Sequence, residues 1–160
     1  MLNKQLRKLK FLFMRLLRIK GNAHGVARGF TVGVLINFVP SFGFGPFLST
    51  MLPKLVRGNA VAGFIGGVIF LWAFPILFYI NIVVGEYFTP VEIAESIEEV
   101  IEAEETEEVI EAGLQIGKAF IIGMFVNMFV FGILTYLTVY TIVKKFRHEV
   151  LMFIYMKWRV

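Results

Sequence analysis

Nine residues, "FVPSFGFGP" from Phe38 to Pro46, place two prolines and two glycines inside a run that is otherwise apolar. Proline fixes φ and removes a backbone donor, while glycine admits backbone conformations closed to other residues. This is turn chemistry where an uninterrupted helix would otherwise be read. The apolar arms on either side are short. Gly25 to Pro40 and Phe47 to Asn59 both fall below the roughly 20 residues that a bilayer-spanning helix needs. The stretch cannot be buried as one straight span, so the chain must bend, stop or turn back there.

The surroundings of the turn are those of a membrane protein. Of 160 residues, 58% are hydrophobic, against about 45–50% in an ordinary soluble domain. Mean hydropathy is +0.75. The length fits one domain, with room for only a few spans. There is no Cys and no Asp, and the only serines are Ser41, Ser49 and Ser96. Disulfide and thiolate–metal chemistry are thereby closed, and nucleophile–base sets are scarce. The expectation is a protein that is not an enzyme and uses no cofactor and no metal. Basic residues interrupt the first twenty positions, so no cleavable signal peptide is expected there.

The charges are sorted along the chain. Residues 1–28 hold eight Lys or Arg and no acid, residues 92–111 hold ten Glu and no base, and residues 144–159 hold five bases and one acid. Bases collect on the cytoplasmic side of spans. Residues 1–20 read as a basic amphipathic interfacial helix, with Lys4, Arg7, Lys8, Arg15 and Arg18 on one side and a leucine-rich face on the other. Residues 21–143 form the membrane domain: a hairpin over 25–57, a span over 59–88 kinked near Pro75, an acidic helix over 90–112 and a span over 114–143. Thr89, Pro90 and Glu92 read as a capping box that opens the acidic helix, and Gly113 reads as its stop. Residues 144–160 form a basic cytoplasmic tail.

With both basic ends inside and the Glu helix outside, 59–88 runs outward, and the segment from Gly25 to Arg57 begins and ends on the same side. The turn is then the tip of a re-entrant hairpin. The rival topology, one kinked span through the turn, puts Lys54, Arg57 and the C-terminus on the outside. The fold class expected is an all-α integral membrane protein of the cytoplasmic (inner) membrane. It has two spanning helices, a re-entrant helical hairpin and both termini cytoplasmic.

Non-helical backbone at membrane depth must be buried in protein or line a watery cavity. Two spans cover a hairpin poorly, so a homo-oligomer is expected. The pairs Gly29/Gly33, Gly63/Gly67 and Gly113/Gly117 have the spacing that lets helices approach closely. Asn37, Asn81 and Asn127 lie in apolar runs, where hydrogen bonding between helices is the expected role. Gly33 to Pro40 and Gly67 to Pro75 both run from Gly-Val to proline, either as a short repeat or as a coincidence between apolar segments. A β-branched residue at Gly43 is expected to disturb the hairpin more than alanine at Gly63 disturbs its helix.

The candidate site residues are Pro40, Ser41, Gly43, Gly45, Pro46 and Ser49 at the tip, with Arg28, Arg57 and Asn59 at the hairpin mouth. Half-helix ends at the tip offer free carbonyls and amides to ions, and the two arginines suit phosphate. The equal alternative for the tip is a packing device, and for the arginines an anchor in anionic headgroups.

The stretch "GNAHGVARGFTVGVLINFVPSFG", followed by "RGN", resembles the domain of unknown function 2062 family of small bacterial membrane proteins. Gly21, His24, Ala27, Gly29, Phe30, Gly33, Val34, Pro40, Gly43, Arg57 and Asn59 match its pattern over residues 21–88. Ala23 stands where the family often has proline. Leu71 and Trp72 stand where it often has an Asn-Pro pair. The resemblance implies a membrane protein and supplies no activity; members that adjoin glycosyltransferase domains imply a lipid-linked glycan setting. The function expected is a small transporter or channel-like protein for an anionic or phosphate-bearing lipid or solute. The alternative is a non-transporting interaction module that supports envelope-biosynthesis enzymes. Membrane lipid with anionic headgroups is the expected partner, and nucleic acid is not one.

Overall fold

The computed structural model describes residues 15–16, 22–41, 43–89 and 106–157. Among them the elements are all helical. The chain divides into two compact units: Met1–Trp72 with Phe131–Val160, and Ala73–Val130. The first holds fifteen of the sixteen Lys and Arg, and the second eleven of the twelve Glu.

In the first unit, α1 spans Ala23–Leu35. Asn22 caps it, its Oδ1 accepting from the Gly25 amide at 2.7 Å. The helix tightens into a 3-10 turn at Ile36–Phe38, and Val39 is extended, as the residue before a proline prefers. The Phe44 amide then donates to the Ser41 carbonyl at 2.8 Å, closing a four-residue turn. Gly43 occupies its third position with φ 93°, a conformation that favours glycine. Next, α2 spans Gly45–Leu55 with Pro46 in its first turn, where a missing amide costs nothing.

The end of α2 is a Schellman motif. Gly58 N–H donates to the Pro53 carbonyl at 2.8 Å and Arg57 N–H to the Lys54 carbonyl at 3.1 Å. Arg57 takes the left-handed position, φ 52°, usually filled by glycine. One residue later Asn59 caps α3, Ala60–Ile69, accepting from the Val61 and Ala62 amides at 2.9 and 3.1 Å.

Glycines set how these three helices meet. A Cβ on Gly33 would collide with the Gly63 carbonyl, and one on Gly29 with the Asn59 backbone. The register therefore runs 29 to 59 and 33 to 63, which makes α1 and α3 parallel. The opposite side of Gly63 abuts the Pro53 ring and the Ser49 carbonyl, while Gly67 abuts the Ser49 side chain. Thus α2 runs antiparallel to α3. Pro53 donates no amide to the Ser49 carbonyl four residues back, and α3 packs against that carbonyl at a residue without a side chain. Val26, Phe30, Val34, Ile65, Val139 and Val143 form the buried apolar centre of this unit together with Leu16.

The match between Gly33–Pro40 and Gly67–Pro75 has a structural counterpart. Both runs end an α-helix, make a 3-10 turn (Ile36–Phe38 and Leu71–Ala73) and reach proline two residues later. It also extends upstream: Lys20-Gly21-Asn22-Ala23 corresponds to Arg57-Gly58-Asn59-Ala60, and both asparagines are N-caps.

In the second unit, α4 spans Phe74–Phe88 and packs antiparallel to the first part of α5, Thr106–Lys157. Gly85 meets the Ala119 carbonyl, and Gly123 meets the Asn81 carbonyl. Asn127 Nδ2 donates to Asn81 Oδ1 at 3.0 Å in the buried interface.

Two stretches are long and apolar enough to cross a membrane, Leu71–Phe88 with 18 residues and Ala112–Lys145 with 34. Only 17% of an 18-residue apolar stretch in each is buried, which leaves most of that apolar surface exposed. By contrast α1, α2 and α3, at roughly 15–20 Å each, fall short of a hydrocarbon core of about 30 Å.

Several expectations change. The 59–88 segment is two helices interrupted at Phe70–Ala73, with Pro75 in the first turn of the second rather than at a kink within one helix. Gly113 does not stop a helix: α5 runs through it, because glycine lowers helix propensity by only about 1 kcal/mol. The 114–143 span and much of the 144–160 tail are thus parts of one helix. A Cβ at Gly113 or Gly117 would meet nothing within 4 Å, so this third glycine pair packs against nothing among the described residues. Residues 90–105, with Glu92 of the capping box, lie outside the described residues, as does all of 1–20 except Arg15 and Leu16. Leu16 is buried and Arg15 exposed.

Candidate functional site

The nine residues named from sequence fall into two groups at opposite ends of the three-helix pack. Pro40, Ser41, Gly43, Gly45 and Pro46 form the tip. Because α1 and α3 are parallel and in register, the interruption after α3, Phe70–Trp72, reaches the same level as the tip. Two breaks in helical backbone therefore stand at one level. Their rim is apolar: Phe44, Phe47, Leu71 and Trp72 are all exposed, Trp72 to 85%.

The polar groups near the tip are turned inward. Ser49 is fully buried, and its hydroxyl donates to the Pro46 carbonyl at 3.0 Å. Thr50 donates to the same carbonyl at 2.8 Å. Asn37 donates to the Gly33 and Val34 carbonyls of its own helix, both at 3.2 Å, rather than to a neighbour. Asn81 and Asn127 do link two helices, as expected.

At the other end, Arg28 Nη1 donates to the Val56 carbonyl at 3.1 Å. This carbonyl belongs to the α2 terminus that Arg57 and Gly58 close. Arg28 therefore ties α1 to the α2–α3 turn, Arg57 is exposed in the left-handed conformation, and Asn59 Oδ1 serves as a helix cap.

A third cluster was not legible in the sequence. His24 Nδ1 lies 2.7 Å from the Tyr136 hydroxyl. The His24 ring stacks on Tyr140 with centroids 4.5 Å apart, and Lys144 Nζ sits 5.4 Å from the Tyr140 ring centre. Tyr136, Tyr140 and Lys144 follow one another at four-residue spacing on α5, so they form a single stripe. That stripe was the available signal; nothing local tied it to a histidine 112 positions away.

Among the described residues no group of three His, Cys, Asp or Glu is placed to hold a metal ion. No curated protein and no solved structure matches the chain. The family model described as "Uncharacterized protein conserved in bacteria (DUF2062)" matches residues 6–150, well beyond the 21–88 whose motifs carried the resemblance. With its paired glycine helices, Pro/Gly tip and Arg-Gly-Asn turn, the chain belongs to that family.

Proposed function

We propose that the chain is a small integral protein of the cytoplasmic membrane, a transporter or channel-like homo-oligomer for an anionic, phosphate-bearing lipid or solute. The observation that carries this reading is the pair of backbone breaks at one level, Val39–Phe44 and Phe70–Trp72. Interrupted helices at membrane depth persist where protein or water covers them, and transporters use such places to coordinate substrate. The α2 face bearing Phe44, Phe47, Met51 and Leu55 is exposed and apolar. That supports immersion of the hairpin, with the tip re-entrant and a second copy covering it. The sorting of charge along the sequence supports cytoplasmic termini and an acidic segment on the outer side.

The topology is tested with single cysteines, since the native chain has none. Arg57→Cys and Glu99→Cys are expected to react with an impermeant thiol reagent from opposite faces; reaction from one face would remove the re-entrant reading. Transport is tested in phosphatidylcholine vesicles doped with fluorescent phosphatidic acid. The protein is expected to speed transbilayer movement of that lipid, and Gly43→Val to slow it.

One observation favours a second reading, a non-transporting interaction module. The hairpin interior is filled backbone against backbone, and Ser49, Thr50 and Asn37 all bond to their own helices. A module moves no lipid in the vesicle assay and instead retains envelope-biosynthesis enzymes on purification in mild detergent.

A further inference from the structure

The His24–Tyr136–Tyr140–Lys144 cluster is more than a clasp between α1 and α5. A clasp needs the ring contact and one hydrogen bond. This cluster also leaves three polar groups without hydrogen bonds among the described residues: His24 Nε2, the Tyr140 hydroxyl and Lys144 Nζ. His24 and Lys144 are exposed.

The hydrogen bond at Nδ1 decides what the outer nitrogen does. When the Tyr136 hydroxyl donates to Nδ1, the neutral ring carries its proton on Nε2. When the ring is charged, both nitrogens carry protons. In both of these states Nε2 is a donor; in the other neutral tautomer Nδ1 donates to the Tyr136 oxygen and Nε2 is an acceptor. Among the described residues no further His, Cys, Asp or Glu joins His24 to hold a metal ion. A cationic ligand is disfavoured, because Lys144 already occupies the Tyr140 face. The surrounding unit carries fifteen bases and one acid. A full positive charge beside an imidazole and a phenol, both able to donate, in a basic field suits an acceptor with several oxygens.

We infer that His24, Tyr140 and Lys144 bind a phosphate group, with Tyr136 as the positioning residue that orients the histidine. The site stands at the start of α1, away from the tip. In the topology proposed above this is the cytoplasmic membrane surface, where tyrosine and lysine side chains favour the headgroup layer. The inference rests on that reading only for the depth of the site. It names the place where the proposed phosphate-bearing substrate docks.

The test uses the full-length protein in phosphatidylcholine nanodiscs, with phosphatidic acid incorporated at rising mole fraction and bound lipid counted by native mass spectrometry. A parallel series adds inorganic phosphate to discs without phosphatidic acid. Lys144→Gln and His24→Ala are each expected to weaken retention of phosphatidic acid about ten-fold, the loss of one charge-assisted hydrogen bond. Lys144→Arg is expected to restore it. Tyr136→Phe is expected to weaken it less, and a direct-contact role for Tyr136 would show as a loss equal to that of His24→Ala. Lys54→Gln removes an exposed base of the same unit and is expected to leave retention unchanged. Equal losses for Lys54→Gln and Lys144→Gln would mean a diffuse basic surface and would overturn the site, as would wild-type retention by His24→Ala and Lys144→Gln together. Retention of phosphatidic acid but not of inorganic phosphate identifies a lipid headgroup; equal retention of both identifies free phosphate. Specific retention without transbilayer movement in the vesicle assay would sink transport and leave this site standing.

Discussion

The two units of this chain share glycine contacts between helices and differ in what accompanies them. In the basic unit, α1, α2 and α3 meet backbone to backbone. Gly29, Gly33, Gly63 and Gly67 sit where any Cβ would strike a neighbouring main chain or the Ser49 side chain. In the acidic unit, α4 and α5 also cross at two glycines, but a side-chain amide pair, Asn81 and Asn127, lies between them. The first arrangement suits helices too short to span. With little side-chain area to bury, they gain van der Waals contact by close approach. The second suits long helices, whose partners are chosen by one polar contact in apolar surroundings. Tight backbone packing tolerates almost no added volume, whereas a polar pair tolerates a shape-conserving change at modest cost.

The largest effects should come from the glycine contacts, in the basic unit as in the acidic one. Gly33→Ala places a methyl group against the Gly63 carbonyl and is expected to destabilise by roughly 3 kcal/mol or more, read as a lowered melting temperature in detergent. Gly117→Ala, in open space within α5, is the control and should raise stability by up to about 1 kcal/mol; a loss equal to that of Gly33→Ala would erase the contrast. Gly63→Ala belongs with Gly33→Ala, because Pro53 and Ser49 crowd it. The ranking expected from sequence, with Gly43 the more sensitive position, is therefore reversed.

Gly43→Val should cost roughly 1–2 kcal/mol, from the positive φ alone, since nothing lies within 4 Å of its Cβ position. In the acidic unit, Asn127→Leu removes the donor to Asn81 Oδ1. It should cost about 0.6–1.7 kcal/mol, with part of the loss recovered in the double change with Asn81→Leu. A loss as large as that of Gly33→Ala would mean that the amide pair matters as much as the glycine contacts. The smallest effect has the opposite sign. Arg57→Gly relieves the left-handed backbone at the α2 terminus and should raise stability by a few tenths to about 1 kcal/mol, after glycine's greater entropy loss on folding. A decrease would show that the Arg57 side chain contributes more than its backbone costs.

Much of the site was half-visible in the sequence. The turn at Pro40–Pro46 was legible because proline and glycine act on the residues next to them. The positive φ at Gly43 follows from the same local rule. Asn59 and Arg57 were legible as a signature but not as a cap and a Schellman position, because those roles depend on where α2 ends. Ser49 read as a candidate site residue at the tip and proved to be buried against Gly67. Its surroundings come from α3, which no local pattern near Ser49 describes.

By itself, the sequence determined that the chain is helical, where it breaks, which stretches can enter a membrane and how charge is divided along it. Each of these rests on local composition or on steric rules that act within a few residues. The tertiary structure alone decided which glycines have partners, that α1 and α3 run parallel and bring two backbone breaks to one level, and that α5 passes through Gly113 unbroken. It also joined His24 to a tyrosine stripe 112 residues away. Such pairings depend on how helix surfaces fit together across distances at which the chain between them carries no signal, and residue spacing cannot report that fit.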